Sequence, residues 1–317
     1  MGKGATKVRK RIDGRNWTEY NRWQSEEVFL ACLFFKTLVE SSAIHDWSRK
    51  NGRPRFARRE LVLCLMVRAY FDLSFRRAAG LLKLLQPVLG LGRVPHFNTL
   101  QKYNRTGGMT ATLEGVLVEV AAPFWAVEET VSVDATGLLL HGSGAWRSNK
   151  GDTSPRDFAK LHVLSGTKTR ATLAIRLTRG AWHDSTQLES LLEQKPDDAV
   201  ARRLTGDRAY WSRKNCNEAE RHDLQAIMQP KENARWWAHP KDPFERMTRF
   251  AMQFPRRFKK LYHRRSTSES RNATDKGLFG DRLRTRRPAS RRNDVLAREI
   301  VHNVRLLTKG APQPSAG

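Results

Sequence analysis

The chain of 317 residues carries 58 lysines and arginines against 32 aspartates and glutamates, which gives a formal net charge of +26 at pH 7. This balance excludes a simple acidic or neutral housekeeping enzyme. Because 39% of the residues are hydrophobic, the chain can fill a core, so the charge coats a folded protein and a polyanion is the first partner to expect.

The three cysteines, Cys32, Cys64 and Cys216, are odd in number and widely spaced. This usage predicts buried thiols in a reducing compartment, and we expect a cytoplasmic protein. The longest apolar run covers residues 28–35, far short of the roughly 20 residues that span a bilayer. The start of the chain also lacks the apolar stretch of a secretory signal, so the sequence predicts no membrane segment.

Residues 1–126 have the pattern of a basic arm followed by helices. The first fifteen residues contain six basic side chains and one acid, and we predict a phosphate-seeking arm over residues 1–25. Helical spacing of apolar side chains then predicts a helix from Glu26 to Val39, and another follows Pro54. The predicted buried positions of these helices are Phe29, Leu30, Leu33, Phe34, Leu38, Leu61, Leu65 and Tyr70.

A small-residue helix over residues 74–82, a glycine- and proline-rich connection and a capped segment at 98–100 come next. With Lys102 and Arg105 nearby, this order is that of a helix-turn-helix DNA reader. An all-helical packing domain with a solvated basic face explains the same pattern equally well. The sequence therefore predicts a helical domain over residues 26–126, with the helix-turn-helix as one of two arrangements.

From Glu128 the pattern changes to short alternating runs separated by turns. Strands are predicted at 131–134, 161–164, 172–177 and 201–206, and Asp184 is predicted to cap a helix over residues 186–192. We predict an α/β catalytic domain over residues 127–310 and a disordered tail over 311–317. Residues 256–309 contain seventeen cations against five acids, so the positive charge is expected to concentrate at the two ends of the chain.

Three acids stand out in this basic chain. Asp134 and Asp207 each end a predicted strand, and Glu269 lies in the cationic C-terminal segment. Ligands gather at the carboxyl ends of strands in α/β sheets, and oxygen ligands from separate elements suit Mg²⁺ or Mn²⁺, of which two ions can cleave a phosphodiester. Taken singly, each has an ordinary explanation: a turn or cap for the aspartates, and an ion pair with Arg265 for Glu269.

The surroundings of Glu269 favour the metal site. On one α-helix, Tyr262, Arg265, Glu269 and Lys276 fall on a stripe about 60° wide. One aromatic ring, two cations and one acid on one face do not suit a buried core. They suit an acid that binds a metal ion, flanked by groups that hold a DNA phosphate backbone. If Ser268 is the N-cap of the helix, Tyr262 and Arg265 lie instead on the preceding turn.

These residues resemble a known family, the DDE transposases of bacterial and archaeal insertion sequences. The spacing Tyr262-x2-Arg265-x3-Glu269-x6-Lys276 is similar to the C-terminal signature of that family. Residues 133–137 and 206–210 resemble its first and second catalytic aspartate strands. Weaker similarities occur at residues 16–20, 160–163, 183–185 and 280–284.

The resemblance implies an RNase H-like fold, in which a mixed sheet flanked by helices follows an all-helical N-terminal domain. It implies that Asp134, Asp207 and Glu269 bind two divalent ions, with Asp134 bridging them. It further implies that Tyr262, Arg265 and Lys276 contact the transposon end.

The implied function is that of a DNA transposase, which cleaves the inverted-repeat ends of its element with Mg²⁺ or Mn²⁺ and transfers the 3′-OH strand to target DNA. The implied partners are double-stranded DNA and a second copy of the chain, at the nucleoid of a prokaryotic cell. No glycine-rich phosphate loop occurs, so we expect no nucleotide cofactor.

Several features leave alternatives open. Residues 270–275 are more polar than expected for a helix that packs on a sheet. A catalytically inactive DNA-binding protein derived from a transposase is therefore an alternative function. An RNase H-like nuclease without strand transfer would share the acids and the basic surface. Trp236 and Trp237 either pack in the core or stack on an unpaired base, and the adjacent His183 and Asp184 are expected to cap a helix and not to form a catalytic dyad.

Overall fold

The structure, a computed structural model, describes residues 17–46, 56–140 and 158–309. The tail predicted at 311–317 and the first sixteen residues of the predicted arm lie outside the described residues. Within the described ranges, no helix combines the length and the apolar character needed to cross a membrane.

The N-terminal part consists of five helices with clear end signals. Ser74 accepts a hydrogen bond from the Arg77 N–H at the start of the third helix, and Gly90 ends that helix with a φ of 66°. Thr106 caps the fifth helix by accepting from the Met109 N–H. The helices are α1 (Trp17–Ser41), α2 (Arg58–Tyr70), α3 (Phe75–Leu89), α4 (Phe97–Tyr103) and α5 (Gly107–Trp125).

Helix α1 confirms the predicted helix and corrects two details. It begins at Trp17, so residues 17–25 belong to a helix and not to the predicted arm. Its buried face is formed by Ala31, Phe35 and Leu38, whereas Phe29 is 53% exposed. Ala31, Phe35 and Leu38 are spaced by four and three residues and share one face, from which Phe29 points away.

The connection between α3 and α4 covers residues 90–96. This is longer than the three or four residues that join helices in a helix-turn-helix. A shorter connection, residues 71–74, joins α2 and α3. The helix-turn-helix therefore stays a prediction.

A mixed five-stranded sheet follows, which confirms the predicted change to α/β structure. The strand order is β3-β2-β1-β4-β5; β1 pairs antiparallel with β2 and β2 with β3, whereas β1 with β4 and β4 with β5 are parallel. The strands predicted at 161–164 and 172–177 lie in β2 and β3, which form a hairpin. The strands are β1 (Thr130–Leu139), β2 (Phe158–Gly166), β3 (Thr172–Arg179), β4 (Arg203–Gly206) and β5 (Gln225–Met228).

Helices flank this sheet. Helix α5 and the last helix pack on β3, and the helix that carries Glu269 packs on β1. The helices of this part are α6 (Leu188–Leu192), α7 (Arg213–Arg221), α8 (Pro243–Gln253), α9 (Pro255–Tyr262), α10 (Ser266–Phe279) and α11 (Pro288–Lys309), and short 3-10 turns cover Asp184–Gln187, Arg208–Tyr210 and His263–Arg265.

Helix α11 links the two parts of the molecule. Its Leu296, Ile300 and Val304 belong to the apolar core of the N-terminal helices. Buried Arg68 of α2 also pairs with Asp294 of α11, at 2.8 Å between Nη1 and Oδ1. The helical part therefore completes its core with the C-terminal helix, and the domain boundary between residues 126 and 127 stays a prediction.

The three cysteines are free and buried, as the sequence predicts. Burial raises the pKa of Cys64 and of Cys216 to about 12. Neither thiol is ionised near neutral pH, so neither is a nucleophile.

Candidate active site

Strands β1 and β4 bring Asp134 and Asp207 side by side. The last parallel pair is Val133 with Gly206, and each aspartate follows its strand residue directly. Residues that are paired in register on neighbouring parallel strands point their side chains to the same face. Both half-buried carboxyl groups therefore point out of one face of the sheet. The two predicted acids are thus neighbours, although Asp134 lies within β1, which continues to Leu139, and only Asp207 follows the end of its strand.

The close approach of the two strands depends on Gly206. A Cβ at this position would lie 3.0 Å from Cγ1 of Val133 and 3.3 Å from Cβ of Tyr210. A side chain at residue 206 would therefore crowd the side chains of Val133 and Tyr210 beside the two aspartates.

Asp207 also has the local role that its turn position suggested. Its Oδ1 accepts a hydrogen bond from the Ala209 N–H at 2.8 Å, which caps the 3-10 turn Arg208–Tyr210. The cap fixes one oxygen of the carboxylate against the backbone and so orients the group at the end of β4.

The signature residues do not lie on one regular helix, which corrects the stripe predicted from the sequence. Tyr262 ends α9, Arg265 lies in the 3-10 turn and Glu269 lies in α10. Ser268 is inside α10 and is not its N-cap. The Tyr262 ring stacks on Phe258 with the ring centroids 5.7 Å apart.

Arg265 joins two of the signature residues. Its Nη2 donates to Oε1 of Glu269 at 2.5 Å, and its guanidinium lies 5.8 Å from the centre of the Tyr262 ring. The ion pair that the sequence offered as the ordinary explanation of Glu269 is therefore present. Lys276 is exposed, and it makes no ion pair within residues 17–46, 56–140 and 158–309.

Polar residues on both sides of Glu269 pack against the sheet through hydrogen bonds. Ser268 Oγ lies 2.8 Å from Oγ of Ser132, and Asn272 Nδ2 donates to Oδ2 of Asp134 at 2.9 Å. Ser132 and Asp134 are two residues apart on β1 and share a face. Helix α10 therefore docks on β1 with polar groups where the sequence analysis expected apolar ones.

Arg271 anchors the same helix from its buried side. It is only 1% exposed, and it pairs with Glu299 of α11 and with Asp275, whose Oδ2 lies 2.7 Å from Nη2. Nη2 also donates to Thr172 Oγ1 at 2.7 Å. The polar stretch is thus held by a buried ion network, which explains how a helix more polar than expected packs against the sheet. No spacing rule marked Arg271 or Asn272 in the sequence.

The three acids influence one another. The pKa of the Asp134 carboxyl is raised, chiefly by burial, and the negative charges of Asp207 and Glu269 raise it further. The Ala135 N–H and the Arg265 guanidinium act in the opposite direction. Carboxylates that repel one another favour a cation between them.

The donor chemistry fits a divalent ion, although the three side chains are not drawn together. Carboxylate oxygens are the ligands that Mg²⁺ and Mn²⁺ prefer. Among the described residues, no three His, Cys, Asp or Glu side chains are close enough to hold an ion together. Asp134 and Asp207 present neighbouring oxygens, and the carboxylate of Glu269 is engaged by Arg265.

Comparison with protein families decides the family. The sequence model described as the transposase DDE domain matches residues 125–304, more than half of the chain. The chain belongs to the family of transposases with a DDE domain. No solved structure matches it. DDE transposases generally use divalent metal ions and have DNA as their partner, and Asp134, Asp207 and Glu269 all lie inside the matched region of this DDE domain.

The cations of α9 and those of α11 differ in their partners, where the sequence indicated one positive segment. On α9 all four are exposed, and no described residue forms an ion pair with any of them; they are Arg256, Arg257, Lys259 and Lys260, called here the α9 cations. On α11, three arginines are paired, Arg292 with Glu114, Arg298 with Asp72 and Arg305 with Glu27. Of these seven cations, only the α9 cations lack an ion-pair partner among the described residues.

Asp184 has a different role from the predicted cap. It opens a 3-10 turn, and no side chain caps that turn. Its Oδ1 instead accepts from Lys160 Nζ at 3.0 Å and lies 3.7 Å from Nδ1 of His162. Lys160 and His162 are two residues apart on β2, so strand alternation places them on one face, a signal that the sequence contained.

The two adjacent tryptophans of the DDE domain separate. Trp237 is half-buried and meets Phe244 edge-on, with the ring centroids 6.0 Å apart. Trp236 is 56% exposed, with the guanidinium of Arg249 5.7 Å from its ring centre. Trp237 packs against the protein, and base stacking by Trp236 stays a prediction.

Proposed function

We propose that this protein is the transposase of a prokaryotic insertion sequence, which cleaves the ends of its element and joins the 3′-OH strand to target DNA. One observation carries the proposal. Asp134 and Asp207 leave one face of the sheet side by side, inside the matched DDE domain, and the helix of Glu269 packs on the same strand as Asp134.

The sheet supports an RNase H-like fold. Three antiparallel strands, β3, β2 and β1, continue into two parallel strands, β4 and β5. The first acid lies on the central strand and the second directly after its parallel neighbour. This is the mixed sheet that the resemblance implies for the catalytic domain.

Asp134, Asp207 and Glu269 would hold the divalent ions, Mg²⁺ or Mn²⁺. Bound there, divalent ions supply the Lewis acidity that activates an attacking oxygen and neutralises a leaving one. The side chains of this chain do the remaining work: they orient the carboxylates, hold the DNA and keep the reacting groups in line.

Arg265 connects DNA binding to the third acid. In the free protein its guanidinium neutralises Glu269. A phosphate of the element end offers Arg265 a second anionic partner, with which it can form a charge-assisted contact. We expect the guanidinium to move to the phosphate when an end binds, because this leaves the Glu269 carboxylate free to serve the metal site.

The exposed α9 cations lie immediately before the signature segment and suit the phosphate backbone of the same DNA. Tyr262 and Lys276 are proposed to contact the end beside them. We further propose that two copies of the chain act together on two ends, in contact with the DNA of the nucleoid.

The deciding experiment uses a labelled element end, read from the DNA that flanks the coding sequence, and an unlabelled target plasmid in Mg²⁺ or Mn²⁺. The expected result is sequence-dependent cleavage of the end and a labelled joined product. Equal cutting of end and random DNA without joining would instead identify a nuclease. Binding without any cutting would identify an inactive DNA-binding protein.

A further inference from the structure

A continuous chain of hydrogen bonds runs from helix α11 to the first catalytic aspartate. Glu299 pairs with Arg271, Arg271 Nη1 donates to Asn272 Oδ1 at 2.9 Å, and Asn272 Nδ2 donates to Asp134 Oδ2 at 2.9 Å. The proposed function assigns no role to Asn272.

The chemistry of Arg271 decides which way the Asn272 amide points. A guanidinium has only donors, so the group that faces it must be the amide oxygen. The NH₂ group of Asn272 then faces Asp134, whose carboxylate accepts. Arg271 therefore turns the amide so that Asp134 always meets a donor.

Arg271 itself has little freedom to move. It is buried, and its guanidinium is shared among Glu299, Asp275 and Thr172. One turn earlier, the contact of Ser268 with Ser132 fixes the position of α10 along β1. The orientation of Asn272 is thus set by contacts on both sides of the helix.

A neutral donor has an advantage over a charged one at this point. A guanidinium in direct contact with Asp134 would neutralise the carboxylate and repel a divalent ion. The amide of Asn272 restrains one oxygen without adding charge, and the carboxylate keeps its attraction for a cation.

We propose that Asn272 is a positioning residue for the metal site, aimed by Arg271, which holds the Asp134 carboxylate in the orientation that binds the divalent ion. This rests on the proposed function, in which Asp134 serves that ion. The residue acts through Asp134 and does not touch the DNA.

The test compares wild type, Asn272→Ala and a control, Thr274→Ala, which alters an exposed position of the same helix. The Mn²⁺ affinity of the complex between protein and element end is measured from the signal of free Mn²⁺ in electron paramagnetic resonance. End binding without metal and the melting temperature are measured in parallel. In Asn272→Ala we expect Mn²⁺ affinity to fall by about tenfold or more, while end binding without metal stays near that of the control; the melting temperature should fall modestly, because the buried Arg271 loses an acceptor.

A second variant guards against a packing defect. Asn272→Asp has nearly the same shape and keeps a partner for Arg271, but it turns an acceptor toward Asp134. Its maximal cleavage rate at saturating Mn²⁺ is expected to fall at least as far as that of Asn272→Ala. A wild-type rate in Asn272→Asp would overturn the inference.

The positioning role and the proposed function fail separately. Equal Mn²⁺ affinity in wild type and Asn272→Ala overturns the role of Asn272 even if the wild type cuts DNA. A wild type that binds Mn²⁺ but cuts no DNA overturns the proposed function, and the affinity comparison still decides the role of Asn272. A wild type that binds no Mn²⁺ overturns both.

Discussion

Helices α9 and α11 look alike in the sequence, since both are rich in arginine and lysine, yet the structure uses them in opposite ways. The α9 cations are exposed and have no ion-pair partner in the part of the chain that the structure describes. Arg298 and Arg305 of α11 are largely buried and paired with Asp72 and Glu27. A cation with a nearby carboxylate stabilises the fold, whereas one without a partner is free for DNA.

This difference limits what a charge count can predict. Net charge sets the attraction for a polyanion, but the local partners of each cation decide where the anion binds. Arg271 is the extreme case: it lies in the signature helix and is fully committed to Glu299 and Asp275. The following experiments test whether the two classes of cation separate as described.

The largest effect is expected from the buried network. Glu299→Ala leaves Arg271 buried without its α11 partner, so the free energy of unfolding should fall by about 3 to 5 kcal/mol. Urea denaturation measures this. As the control, Arg292→Gln removes an exposed ion pair of the same helix and should change stability by less than about 1 kcal/mol. Equal losses in both variants would break the distinction between buried and exposed pairs.

A pH effect of similar size is expected from His162, which lies near Lys160 and Asp184. Burial lowers the pKa of His162 from its usual 6.5 to about 4. Because the unfolded chain binds this proton more readily, stability should decline as the pH falls from about 6.5 toward 4, by on the order of 3 kcal/mol. Urea denaturation across this range should show a shallower decline in His162→Gln, and identical pH profiles would contradict the assignment.

A smaller effect is expected from Arg265→Ala. The variant lacks a charge-assisted phosphate contact worth about 1.5 to 3 kcal/mol, so end cleavage should fall while non-specific duplex binding barely changes. Without DNA, the variant should bind Mn²⁺ more tightly than wild type, because Glu269 is no longer neutralised. Arg235→Ala, at an exposed position, is the control. Unchanged cleavage in Arg265→Ala would remove the proposed link between DNA and Glu269.

The smallest effect per substituted residue is expected from the α9 cations, on the salt dependence of DNA binding. Replacing the α9 cations by glutamine should make the salt dependence of DNA binding shallower, by about 0.9 in the log-log slope for each phosphate that is no longer neutralised. Fluorescence anisotropy over a salt series measures the slope. Arg292→Gln, whose arginine is already paired, should leave it unchanged. A slope that responds to Arg292 and ignores α9 would reverse the comparison.

Local patterns were enough to predict four of the five strands and the two aspartates Asp134 and Asp207, but they missed β5 and ended β1 too early, at Asp134 instead of Leu139. Alternation marked β1, and a following acid marked Asp134, because these signals depend on neighbours in the sequence. The same patterns misplaced the buried face of α1 at Phe29, since α2 and α11, distant in the chain, decide which face is covered. They also missed the buried ion pair of Arg271, whose partner Glu299 lies 28 residues away. They missed the contact of Asp184 with Lys160 as well, because Lys160 lies on another element.

The most direct test of the proposed metal site removes each of its ligands while following binding and cleavage together. Asp134→Ala, Asp207→Ala and Glu269→Gln are compared with Asp198→Ala and Glu193→Gln, which alter exposed acids outside the site. We expect the three site variants to bind the element end as well as wild type but to lose cleavage and joining, whereas the controls keep both. Full activity in any site variant, or cleavage by wild type in EDTA, would contradict the assignment of these three acids.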